Sequence, residues 1–190
     1  MIRLPLSLEK RLKELMPKAA DRDTFVAGLL EAALDVKPAN GDLPEAIGGT
    51  IHLFSDGGSR GNPGQAAVGI VLKDPQTGKV LKTHMARIGI TTNNVAEYRA
   101  LIEGLKLAQK FRPNNLIAHL DSELVVNQLN GEYRIKMQSL QPLVDEITML
   151  SKSFPRISFV YVPRLDNHRA DVLVNRALDE IPDPPYEKHA

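Results

Sequence analysis

The order in which short β-prone runs and helical periods follow one another does most to restrict what this chain can fold into. Residues 50–56 (TIHLFSD), 66–73 (AAVGIVLK) and 79–90 are rich in β-branched and apolar side chains and are set apart by the turn-rich stretches DGGSRGNPG and DPQTGK. Successive runs joined by turn residues predict an antiparallel meander. From residue 94 the pattern changes. A helical period over 94–111 is followed by a strand over 116–121, helices over 122–130 and 139–154, a strand over 157–162 and a helix over 167–180. Alternation of this kind needs crossover connections and parallel pairing, so the expectation is a mixed α/β sheet with helices on its faces.

Ahead of this region, residues 36–49 (VKPANGDLPEAIGG) carry no hydrophobic period and hold two prolines and three glycines, and they are predicted to be a linker. Residues 1–35 are predicted to form a two-helix unit, with Leu8, Leu12, Leu15 and Met16 on one face and Phe25, Val26, Leu29, Leu30, Ala33 and Leu34 on the other helix. Two short amphipathic helices cannot close a core alone, so this unit packs on the main domain or on a second copy of itself. The predicted division is therefore 1–35, the linker, a main domain over 50–182 and a loose tail over 183–190.

Composition excludes several classes. The charge is 24 − 23 = +1, so any polyanionic partner is held by a local arrangement and not by a global field. The sequence has no cysteine, which removes disulfide frameworks, thiolate metal sites and cysteine nucleophiles, and suits a reducing, cytoplasmic setting. The longest apolar run, 66–72, is far below the roughly 20 residues that span a bilayer, so no membrane partner is expected.

The acids are less ordinary. Asp56 and Asp121 each close a β-prone apolar run, and ligands of open α/β sheets bind at the carboxyl ends of strands. Glu97 precedes Leu101 by four residues and Leu105 by eight, which puts a carboxylate on the apolar face of its helix. Asp171 repeats the anomaly, three residues before Val174 and seven before Leu178. Taken singly, Asp56 fits a turn, Glu97 and Asp171 fit helix first turns, and Asp121 fits an N-cap. Taken together, the four carboxylates need cations, and an all-oxygen donor set favours magnesium or manganese over zinc.

In order and spacing, DGGSRGNPG, TTNNVAEYRALIEGL, LDSELVVNQL and HRADVLVNRALD resemble the type 1 ribonuclease H family over about residues 50–180. The resemblance implies a ribonuclease H-like five-stranded sheet, three antiparallel strands then two parallel ones, flanked by helices and here preceded by the small N-terminal helical unit. It implies Asp56, Glu97, Asp121 and Asp171 as catalytic, metal-binding carboxylates on two ions, Mg²⁺ with Mn²⁺ as substitute, Asp56 being best placed to bridge them. It implies an endonuclease that hydrolyses the RNA strand of RNA/DNA hybrids, leaving a 5′-phosphate and a 3′-hydroxyl. Gly57, Gly58, Ser59, Asn62, Asn93 and Asn94 would contact the nucleic acid, with Arg164 on a phosphate or holding its loop and His168 either assisting near Asp171 or capping.

The departures from the family are specific. Glu123 stands where many relatives have an amide, and the segment after Gly131 (EYRIKMQSLQPLV) offers only Arg134 and Lys136 and no tryptophan as a hybrid-binding handle. His52, His84 and His119 fall on strand patterns and are expected to be structural. The first 34 residues resemble a ribbon-helix-helix segment, but only Arg3 suits a DNA-reading ribbon, so a homodimer is the better expectation for it. The rival readings are a non-catalytic nucleic-acid-binding adaptor and another metal-dependent nuclease of the same superfamily.

Overall fold

In a computed structural model the residues described are 48–180; the predicted N-terminal unit, most of the linker and the tail lie outside them. The meander appears as predicted: β1 (Thr50–Gly61), β2 (Gly64–Lys73) and β3 (Val80–Thr91) pair antiparallel in sequence. After α1 (Asn93–Gln109), strand β4 (Asn115–Leu120) pairs parallel with β1, and β5 (Ile157–Tyr161) pairs parallel with β4. The five strands run β3-β2-β1-β4-β5, three antiparallel and two parallel. Between β4 and β5 lie α2 (Glu123–Leu129), a 3-10 turn (Gln138–Leu140) and α3 (Gln141–Ser151); α4 (His168–Glu180) follows β5.

Two boundaries differ from expectation. The chain does not turn after Asp56: β1 continues through GGSRG to Gly61, with Gly57 opposite Val68 and Gly61 opposite Gly64, so the turn shrinks to Asn62 and Pro63. The predicted helix over 139–154 divides into the 3-10 turn and the shorter α3, whose Pro142 stands in its first turn, where a missing N–H costs nothing.

Alternation along the strands sends side chains to both faces. Val68, Ile70 and Leu72 of β2 join Ile51, Leu53, Leu101, Leu105 and Leu116 in the main core against α1, while the preceding Ala67 joins Val174, Ala177 and Leu178 of α4 in a smaller cluster on the other face. Glycine allows both helices to come close. A Cβ on Gly57 would lie 2.1 Å from the Ala96 carbonyl of α1, and one on Gly69 would lie 2.1 Å from the Ala170 carbonyl of α4.

Candidate active site

The last parallel pair between β1 and β4 is Phe54 with His119. Two residues further on, each chain carries an aspartate, so Asp56 and Asp121 come together where the parallel pair ends, although β1 itself goes on. Glu97, one turn into α1, is carried over them by the contact at Gly57, and Asp171, in the first turn of α4, arrives from the opposite face through the contact at Gly69. Asp56, Glu97 and Asp121 each offer an oxygen, and these atoms lie within 4.8 Å of one another. Asp171 shares their cleft, of about 220 Å³, which Gly57, Gly58, Ser59, Asn93 and Arg164 also line.

The electrostatics follow from burial. Asp56 and Glu97 are 8% and 9% exposed. Burial and then the charges of Asp121 and Asp171 push the Asp56 carboxyl from 3.8 to about 7, against the opposing pull of Arg164. Burial and then Asp56 and Asp121 push Glu97 from 4.5 to about 9. Glu97 Oε2 is buried with no hydrogen-bond partner. Two full charges 4.8 Å apart repel by about 3 kcal/mol at an effective dielectric of about 20, so three such carboxylates are stable together only with cations or protons. The donor set is all oxygen, orphaned and convergent, and it fits a hard divalent cation. Arg164 Nη2 meets Asp171 Oδ1 at 2.6 Å and supplies part of the missing positive charge.

The amides expected near the substrate form a chain. Thr92, not an asparagine, caps α1 by accepting from Val95 N–H, which releases the two residues that follow. Asn93 Oδ1 accepts from the Ser59 backbone N–H at 3.1 Å, and Asn62 Oδ1 accepts from the Asn93 backbone N–H at 3.0 Å. The β1–β2 turn is thereby tied to the start of α1, and both amide nitrogens are left to point away from these bonds. Asn94 faces a neighbouring cleft beside α2 and not the acids. His168 is not among the residues lining the acid cleft; its Nδ1 donates to the Leu165 carbonyl at 2.8 Å, which fastens the loop before α4, and its Nε2 is buried without a partner. Glu123 is exposed at the start of α2.

Asn167 was not singled out by sequence. It is 1% exposed, and its Nδ2 donates to the Ser55 carbonyl at 2.9 Å and to Asp121 Oδ1 at 2.8 Å. It therefore locks the start of α4 to β1 and orients the Asp121 carboxylate. Asn175 does the same for Asp171, donating to its carbonyl and to Oδ2. A polar residue at the very start of a predicted helix was the available signal, but the contacts span 112 and 46 residues. Away from the site, His119 Nε2 lies 3.2 Å from His52 Nδ1 and stacks on Phe54, and burial holds His119 at about 4. Both rings thus belong to a local stack on β1 and β4.

No helix among the described residues is long and apolar enough to cross a membrane. The family model described as reverse transcriptase-like matches residues 54–177. A bifunctional protein of Mycobacterium tuberculosis is 43% identical over 129 residues, covering 68% of this chain and 35% of that protein, so the chain spans about a third of this relative's length. The crystal structure of ribonuclease H1 from Halobacterium salinarum is 41% identical with a TM-score of 0.68, covering 70% of this chain and 100% of that one. LC11-RNase H1, isolated from compost and solved in complex with RNA/DNA hybrid, is 41% identical with a TM-score of 0.65, over 68% of this chain and 97% of that one.

Proposed function

The chain belongs to the ribonuclease H family, and from that premise we propose that it is an endonuclease hydrolysing the RNA strand of RNA/DNA hybrids, with 5′-phosphate and 3′-hydroxyl products. The observation that carries this reading is the convergence of Asp56, Glu97 and Asp121 within 4.8 Å, with the carboxyls of Asp56 and Glu97 pushed upward by burial and by their acidic neighbours. An adaptor that only bound nucleic acid would gain nothing from a buried negative cluster facing phosphates.

In this reading Asp56, Glu97, Asp121 and Asp171 are the catalytic carboxylates and hold two Mg²⁺ ions, with Mn²⁺ as a substitute. The ions, when bound, supply the positive charge that polarises the scissile phosphate and activates the attacking water. The carboxylates orient that charge, Asp121 under the control of Asn167 and Asp171 under that of Asn175. Arg164, already within reach of Asp171, neutralises a phosphate oxygen as the backbone enters the cleft. Asn62 and Asn93 present amide donors to the ribose 2′-hydroxyl, the group that separates RNA from DNA. Gly57, Gly58 and Ser59 form the wall along which the sugar-phosphate runs, Asn94 extends the contact into the neighbouring cleft, and His168 holds the loop that bears Arg164. Residues 1–35 serve self-association in the same proposal, and the cysteine-free chain works in the cytoplasm.

The test is incubation of labelled RNA/DNA hybrid, double-stranded RNA and double-stranded DNA with magnesium, alongside the Asp56→Asn variant. Hybrid alone is cut, and only by the parent protein. Cutting that survives the substitution, or preference for duplex DNA, overturns the assignment. Light scattering on the full chain tests the dimer, which fails if the chain is monomeric.

A further inference from the structure

Beside the acid cleft lies a second one of about 430 Å³, into which Asn94 and Gln128 project together with Arg134 and Lys136. The two clefts meet at the start of α1, where Asn93 lines one and Asn94 the other. Tyr133 and Met137, 51% and 50% exposed, give the second cleft an apolar wall open to solvent, and Glu132 is its one carboxylate, set against two cations.

Beneath this cleft is a hydrogen bond that packing alone does not require. Tyr98, one turn after Asn94 on α1, is 1% exposed, and its hydroxyl donates to Gln128 Oε1 on α2 at 2.6 Å. A phenylalanine would fill the same core volume. The hydroxyl adds control over one amide: with Oε1 fixed from below, the Gln128 Nε2 and its two N–H groups are directed to the opposite edge, on the cleft side. A glutamine on a half-exposed helix face otherwise loses rotamer freedom when it binds, and fixing it beforehand removes that cost. The polar groups around this edge, the Asn94 amide, Arg134 and Lys136, all offer donors, which complement the acceptor oxygens of a nucleic-acid backbone and carry no pattern for a particular base.

We propose that Gln128 is a binding residue for the sugar-phosphate backbone of the hybrid away from the scissile bond, and that Tyr98 is its positioning residue. This deepens the hybrid-cleaving reading and rests on it. Neither residue lines the acid cleft, so trimming their side chains weakens binding and leaves the chemical step alone.

The experiment measures steady-state cleavage of labelled hybrid by the full chain and by Gln128→Leu, Tyr98→Phe and the double variant. In parallel, fluorescence anisotropy follows the same hybrid binding to these variants in an Asp56→Asn background, where no cutting occurs. Gln128→Leu should raise KM and the anisotropy Kd roughly 5- to 10-fold with kcat within about twofold, and Tyr98→Phe roughly 3-fold, the range expected for loss of a hydrogen bond of ordinary strength or of its orientation. The double variant should be no worse than Gln128→Leu, because Tyr98 acts only through Gln128. Gln128→Glu keeps the acceptor for Tyr98 and hence the parental Tm, yet it too should weaken binding, a result that a merely structural role would not give. KM and Kd within twofold of the parent in the single variants, or effects that multiply in the double variant, overturn the inference. If the parent fails to cut hybrid at all, the activity reading fails, and the anisotropy series still decides the role of Gln128.

Discussion

The acid cluster should make the metal-free protein less stable than its own inactivated variant. Asp56 ionises near 3.8 in an unfolded chain and near about 7 in the folded one, chiefly through burial and then through Asp121 and Asp171. Between those values the folded state holds a proton that the unfolded state has released. Stability from the protonated carboxyl is therefore complete below about pH 4 and is lost as the pH rises through about 7. Over that interval, at about 1.4 kcal/mol per pH unit, the loss approaches about 4 kcal/mol. Separation of the carboxylates and entry of water reduce it to about 2 kcal/mol. Asp56→Asn keeps the shape and removes the charge, so in chelator at pH 8 the variant should melt about 4–8 °C above the parent, given roughly 2–4 °C per kcal/mol for a chain of this size. At pH 5 the gap should shrink to less than half, and saturating Mg²⁺ should narrow it at pH 8 by stabilising the parent. Thermal melts followed by circular dichroism between pH 5 and 8.5, with and without metal, read all three. A variant that melts below the parent at pH 8 without metal, or a gap that ignores pH, refutes the reasoning.

Other expectations follow from the same geometry. Gly57→Ala places a carbon 2.1 Å from the Ala96 carbonyl and 2.4 Å from the Glu97 nitrogen; it should abolish cleavage and lower stability by roughly 1–3 kcal/mol, measured by hybrid cleavage and urea melts. Asn93→Ala leaves the Ser59 N–H without its acceptor, and kcat/KM on hybrid should fall on the order of tenfold, the worth of one hydrogen bond to a polar group plus the lost orientation. Arg164 pulls the ionisation of both Asp56 and Glu97 downward, so Arg164→Ala should move the acid limb of the pH-rate profile to higher pH; an unmoved limb would show that Arg164 serves only the loop.

The four acids were legible because each breaks a local rule: Glu97 sits on an apolar helix face, and Asp56 and Asp121 close apolar runs. Their meeting was legible from topology, since residues that end parallel neighbours share an edge. The extension of β1 was not. GGSRG has turn composition, and only its pairing with residues 64–68 makes it a strand, a case of tertiary structure overriding local propensity. Asn167 was invisible for the same reason, its partners Ser55 and Asp121 being near it only in the fold.

The glycines show what a search for charged residues passes over. Read as sequence, Gly57 and Gly58 suggest backbone laid open to a sugar-phosphate. In the fold they are also where helices touch the sheet: a Cβ on Gly57 would strike Ala96 of α1, and one on Gly58 would meet Val174 of α4 at 2.9 Å. Gly69, the cross-strand partner of Asp56, performs the same service for α4 beside Ala170. Glu97 and Asp171 thus reach Asp56 from opposite faces because two neighbouring strands lack side chains at adjacent positions of their register. The spacing of the carboxylates, and with it the capacity to hold cations, is set by what those glycines leave out. Gly69→Ala should then impair metal binding although it touches no ligand, whereas an alanine at Gly78, which has nothing within 4 Å but a positive φ of 71°, should cost backbone strain alone and leave metal affinity intact. Titration of Mg²⁺ by calorimetry on the two variants separates these effects, and equal affinities would sink the claim that helix approach sets the site.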